Sequence, residues 1–198
     1  MTIAVLRKLC GAISWCDPAV LEYTVELALE IAREGREGRG IGTLFTLGKA
    51  EAVLAASRPL ILDPLAAHAP ARTHISDPNL RVTIKELAQL DGAFVISDTG
   101  TVVAACRYLD ASVEQIDLPL GLGSRHLAAT SISQRLGAIA IVVSETGVVR
   151  VFHGGEIEAA LISELWLLDR HHAQLSGLRV DEQPRSVEVL TVERERHE

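Results

Sequence analysis

Apolar residues return every three or four positions across 17–34, where Leu21, Val25, Ala28, Leu29 and Ala32 trace a single stripe. Asp17 and Pro18 supply the start signal, a carboxylate that can accept first-turn N–H groups and a proline whose missing hydrogen would be orphaned anyway. Gly35 supplies the stop. The next stretch, 35–42, is crowded with Gly, Arg and Glu and predicts an exposed loop, after which 41–47 has strand character. Pro59, Pro64, Pro70 and Pro78 then break any period, so 57–77 predicts irregular or short helical structure.

Further along, Asn79 is a candidate cap for a helix running through 85–89, and 93–96 is a short apolar strand turned by Asp98, Thr99 and Gly100 into a second strand at 101–106. A second hairpin joins 138–143 to 148–152 through Glu145, Thr146 and Gly147. Between the hairpins 125–136 reads as helical, and 157–170 reads as an amphipathic helix. Hairpins alternating with helices predict an α/β fold, a mixed β-sheet flanked by helices on both faces in a single domain. The expected division is an N-terminal segment at 1–16, the domain at 17–175 and a charged tail at 176–198. In that tail Val187, Val189 and Thr191 alternate, so it either adds an edge strand or stays disordered.

A chain of 198 residues is long enough for one such domain with a sizeable core. With 19 Lys and Arg against 26 Asp and Glu it carries a formal charge of -7, which argues against a broad basic face for DNA or RNA. Any bound phosphate must therefore meet a local site. No apolar run approaches the roughly 20 residues of a membrane span, and the apolar stretch after Arg7 and Lys8 is too brief for a secretory signal, so the expectation is a soluble protein. The three cysteines, Cys10, Cys16 and Cys106, form no C-x-x-C pair; neither a disulfide framework nor a thiolate zinc site is expected, and a reducing cytoplasm fits best.

Three polar clusters sit at element boundaries: Asp91-Gly92-Ala93 before a strand, Gly123-Ser124-Arg125-His126 at a helix start, and Ser144-Glu145 at a strand end. A helix N-terminus offers unpaired N–H groups and positive dipole, here joined by a hydroxyl, a guanidinium and an imidazole, which together suit an anion. Spacing alone leaves Ser124 equally readable as a plain cap and Asp91 as an ordinary turn carboxylate. Beside a phosphate site, however, the Asp91 carboxylate becomes a candidate metal ligand or a base for a sugar hydroxyl.

The strings DGAFVISDTGTVVAACRYLD, GLGSRHLAATSIS and AIAIVVSETGVVRVFHGGEI occur in this order and together resemble the diadenylate cyclase domain, the nucleotide-binding domain of DNA-integrity scanning proteins. The close match spans 91–157, and 28–47 is similar to the family's leading helix and first strand. The resemblance implies that two ATP molecules condense to cyclic di-AMP with release of two pyrophosphates. It implies that Asp91 and Gly92, with Ala93 completing the motif, lie at the ribose 3'-hydroxyl and a divalent metal, Mn2+ or Mg2+, for which Asp91 and His126 are candidate ligands. Gly123, Ser124, Arg125 and His126 would hold the triphosphate, Ser144 and Glu145 would line the same pocket, and Tyr108 and Leu109 would pack the adenine. Asp91, Arg125 and His126 are the catalytic candidates.

One departure stands out, because the family motif usually ends in a second arginine where this chain has Leu127. Arg107, Arg135 and Arg150 are candidates to replace that charge, and the loss keeps a nucleotide-binding sensor without turnover as the rival reading. The second-acidic-residue form of the V-S-E segment is also shortened here to Ser144-Glu145-Thr146. Because the chain holds one copy of each cluster, ring closure between two nucleotides predicts a homodimeric encounter, alone or within a larger oligomer. Neither a DNA-binding domain nor a membrane anchor is expected.

Overall fold

The computed structural model of the protein describes residues 2–111, 122–170, 178–181 and 189–192. Its elements in chain order are α1 (Thr2–Gly11), α2 (Pro18–Glu34), β1 (Thr43–Leu47), α3 (Ala50–Ala55), β2 (Ser57–Pro59), a 3-10 turn (Pro70–Arg72), α4 (Pro78–Leu87), β3 (Ala93–Ile96) and β4 (Val102–Leu109). There follow α5 (Ser124–Leu136), β5 (Ile139–Val143), β6 (Val148–His153), β7 (Glu156–Ile162), α6 (Ser163–Arg170), β8 (Leu178–Asp181) and β9 (Val189–Val192).

Seven strands form one mixed sheet in the order β2-β4-β3-β1-β5-β6-β7. Only β1 and β3 run parallel, and every other neighbouring pair is antiparallel. Strict alternation along the central strands sends Phe45, Leu47, Phe94, Ile96, Ile139, Ile141, Val149 and Val151 to one face, where α1, α2 and α4 cover them. The opposite face presents Leu44, Val95, Ala140, Val142 and Phe152 to Val53 of α3 and to Ala129 and Ile132 of α5. The sheet is thus sealed on both sides, as the pattern predicts, and Phe45 stacks on Phe94 at 5.1 Å across the parallel pair. Leu6, Leu9, Cys10 and Ile13 bring the N-terminal segment into the larger of the two cores.

The first long helix begins and ends where its caps dictate: the Asp17 carboxylate accepts from Ala19 N at 2.8 Å, and Gly35 closes it at φ 54°. In α4 the cap is Asp77 rather than Asn79, because Pro78 occupies the first helical position and the Asp77 carboxylate accepts from Asn79 N at 2.8 Å; the helix ends at Leu87, short of 89. Residues 156–162 form a strand, correcting the expected helix over 157–170. Ile157, Ala160 and Leu161 share a helical face, but Ile157, Ala159 and Leu161 also alternate as a strand does, and pairing with β6 along its length decides for the sheet, so the helix begins only at Ser163. In the tail, β8 and β9 pair with each other and not with the main sheet; Val187 lies outside the described residues. Cys10 and Cys16 are disulfide-bonded, against the expectation of free thiols, because the turn after α1 brings their Cα atoms to 5.3 Å; Cys106 is free and buried. Among the described residues no helix is long and apolar enough to cross a membrane.

Candidate active site

The site is built around an irregularity in β4. Pairing shifts from Ala93 opposite Arg107 to Val95 opposite Ala104, so β4 carries an extra residue there. The alternation slips with it: Ala104 packs on the α5 side, whereas Ala105 and Cys106 both pack on the α2 side. Cys106 absorbs the bulge with φ 53°, an uncommon conformation for a residue with a Cβ. Its displaced backbone is satisfied from outside the ladder, since Leu60 N donates to Cys106 O at 2.9 Å and Ala105 N donates to the Asp63 carboxylate at 3.2 Å. Opposite it, Gly92 has φ 110°, and a Cβ there would lie 2.6 Å from the Cys106 carbonyl carbon, so the Asp91-Gly92 turn can close on the bulge only with glycine.

The bulge turns Arg107, Tyr108 and Leu109 toward the Asp91 turn and the first turn of α5. Together these walls enclose a cleft of about 170 Å³ to which Asp91, Gly92, Ala93, Tyr108, Leu109, Ser124 and Arg125 all contribute. Seven of the residues expected from sequence therefore meet in one place. Arg125 ties the clusters together, with its guanidinium 3.6 Å from Asp91 Oδ1 and 3.5 Å from Glu145 Oε1. Asp91 Oδ1 also accepts from Gly92 N at 2.9 Å. Tyr108 is half exposed, and Arg58, its register partner on β2, covers one ring face at 4.4 Å.

The remaining expected residues do not line the cleft. Gly123 is the exposed N-cap of α5 and makes no side-chain cap bond. Ser144 holds the β5–β6 turn, its hydroxyl 2.9 Å from that of Thr146, and Glu145 joins the site only through Arg125. His126 is buried, packs edge-on to Phe152 and faces Arg150, whose NH1 lies 3.3 Å from its Nε2. A guanidinium only donates, so Nε2 accepts and the ring proton sits on Nδ1. Burial, reinforced by the charges of Arg150 and Arg125, pulls the imidazole down to about 4, so it is neutral near pH 7.

Sequence reasoning passed over Leu44, Leu60 and Ala128 in the cleft wall, and above all the glycines of the loop before β1. A Cβ on Gly40 would lie 2.0 Å from Glu145 O, and one on Gly42 would lie 2.5 Å from Arg125 NH1. The glycine spacing of that loop was the available signal; it allows the loop to press against Arg125 and Glu145. Among the described residues no group of three or more His, Cys, Asp or Glu side chains converges as a metal site. The Asp91 carboxylate is largely exposed and suits a hard cation sharing its shell with phosphates and water, whereas His126 Nε2 is turned to Arg150.

Over 138 residues the chain is 49% identical to a diadenylate cyclase of Methanocaldococcus jannaschii, covering 69% of this chain and 43% of that protein. Over 145 residues it is 44% identical to a diadenylate cyclase of Haloferax volcanii, covering 73% of this chain and 53% of that protein. The chain thus spans about half the length of these relatives or less. Among solved structures, a hypothetical membrane spanning protein from Bacillus cereus shares the fold at a TM-score of 0.51 and 21% identity, over 71% of this chain and 67% of that one. The model of the DisA bacterial checkpoint controller nucleotide-binding family, DAC, matches residues 30–157, most of the chain and all of the cleft, and the protein belongs to that family.

Proposed function

We propose that the protein is a diadenylate cyclase, joining two ATP molecules into cyclic di-AMP and releasing two pyrophosphates. The observation that carries this reading is the convergence in one cleft of a carboxylate, a guanidinium and an aromatic wall, Asp91, Arg125 and Tyr108, on a chain whose relatives are named for the activity. In this reading the 3'-oxygen of each ribose attacks the α-phosphorus of the other nucleotide. The P–O bond to pyrophosphate breaks, and the hydroxyl proton passes toward the Asp91 carboxylate. Ser124, Arg125 and the free N–H groups of α5 hold the phosphates, and the neutral His126 packs beneath that first turn. Leu109 and the open face of Tyr108 receive the adenine.

Asp91 is the residue that would hold Mn2+ or Mg2+, which supplies charge neutralisation at the reacting phosphate. A single chain presents one copy of the cleft, so two protomers meet face to face to bring two nucleotides together. Incubating the purified protein with ATP and either metal, and identifying the product by mass, tests the reading. Cyclic di-AMP is expected, and its loss in Asp91→Asn ties it to this cleft. ATP that binds and stays unchanged would instead support a sensor, a reading favoured by the apolar Leu127 in the cleft wall.

A further inference from the structure

The cleft wall contributed by α5 carries Leu127, an apolar residue one position beyond His126. A polyphosphate bound there has Arg125 beside it, but Arg125 already shares its charge with Asp91 and Glu145. Another cation is therefore needed nearby, and three arginines are candidates. Arg107 lines the cleft, yet its guanidinium is committed to the corner between α3 and β2, donating to Ser57 Oγ at 3.1 Å, Ser57 O at 2.9 Å and Leu54 O at 3.3 Å. Arg135 sits in the last turn of α5, at the far end of the helix, and donates to Asp110 O at 2.7 Å.

Arg150 is different. It lies on β6 opposite Val142, on the sheet face covered by α5, and is half-buried at the helix's first turn. Its guanidinium reaches a neutral imidazole, and among the described residues no carboxylate pairs with it. A guanidinium has five N–H donors, so most of the fork is uncommitted. A half-buried cation without a counter-charge costs free energy that an anion would recover.

We propose that Arg150 is a nucleotide-binding residue of this chain, a cation directed at the ATP phosphates that supplies the charge Leu127 does not. This inference rests on the proposed ATP site. Arg150 lies beside the buried His126, behind the first turn of α5 rather than in the cleft wall, and adds its charge from there to that of Arg125. Its contribution is confined to the phosphates, because the adenine wall is built from β4.

The test compares ATP with adenosine, which lacks phosphates, by calorimetry on the full chain and on Arg150→Met and Arg150→Lys. Arg150→Met is expected to weaken ATP binding by about tenfold to a hundredfold, the range for a hydrogen-bonded charge, and to leave adenosine affinity unchanged. Arg150→Lys keeps a point charge and is expected to recover most of the ATP affinity. The inference is overturned if Arg150→Met binds ATP like the parent, if it loses ATP and adenosine equally, or if Arg150→Lys is as weak as Arg150→Met. Failure of the parent chain to bind ATP at all would sink the ATP reading along with this one, whereas the preceding results sink this one alone.

Discussion

Gly42→Ala separates positioning of the arginine fork from stability of the fold. The added methyl would lie 2.5 Å from Arg125 NH1, 3.1 Å from Cζ and 3.3 Å from Glu145 Cγ. Ordinary contact begins near 3.4 Å, so the guanidinium has to retreat by about 0.9 Å. Arg125 is the end of a flexible side chain, and Gly42 lacks the positive φ that would strain an alanine, so the fold is expected to lose no more than about 0.5 kcal/mol. Function is less forgiving. Productive sites tolerate roughly 0.5 Å of displacement, and a shift of about 1 Å can cost on the order of a hundredfold in rate. Thermal unfolding should therefore be nearly unchanged, while cyclic di-AMP formed at saturating ATP falls at least about tenfold. Full turnover by a variant of parental stability would refute the idea that the glycine loop sets the position of Arg125. Gly40→Ala makes a useful contrast, because its methyl meets backbone, Glu145 O at 2.0 Å, and should destabilise the fold as well.

Asp91→Asn should retain ATP affinity within about threefold and lose at least about a hundredfold in product, since the carboxylate acts on the hydroxyl and the metal; parental turnover would remove that role. Arg125→Ala should weaken ATP binding about tenfold or more as well as turnover, and unchanged affinity by calorimetry would count against the assigned phosphate site. The depressed value of about 4 at His126 makes stability fall with acidity: below its ordinary value near 6.5 the unfolded chain takes up a proton that the folded chain refuses, so unfolding free energy should drop between about pH 6.5 and 4 by roughly 3 kcal/mol, and His126→Gln should flatten that slope. Cys16→Ser opens a short loop between residues six apart and should cost about 2 kcal/mol in denaturant unfolding without altering the cleft.

Both hairpins were legible because short, nearly continuous apolar runs are bounded by Asp-Thr-Gly and Glu-Thr-Gly turns, and α2 because its caps and stripe agree. The strand at 156–162 was not, since a short apolar run fits either period and only its pairing with β6 settles it. The site divides in the same way. Asp91, Ser124 and Arg125 stand in recognisable local motifs and meet in the cleft, but the features that bring them together are long-range. The β4 bulge at Cys106, the approach of Gly42 to Arg125 and the contact of Arg150 with His126 each join residues far apart in sequence, and no local pattern announces them. The Cys10–Cys16 bond was missed for a related reason, because counting cysteines does not reveal that a turn folds one back on the other.

Two further tests bear on assembly and chemistry. If protomers pair weakly, specific activity at saturating ATP should rise with protein concentration and level off, and dilution-independent activity from a species shown to be monomeric would contradict a face-to-face encounter. The most direct test of the central claim is to supply the protein with an equal mixture of ordinary ATP and ATP labelled throughout its carbon skeleton, and to read the product by mass. Condensation of two nucleotides predicts light, mixed and heavy cyclic di-AMP, with the mixed species most abundant; ATP recovered intact, or products containing only one nucleotide, would contradict the account.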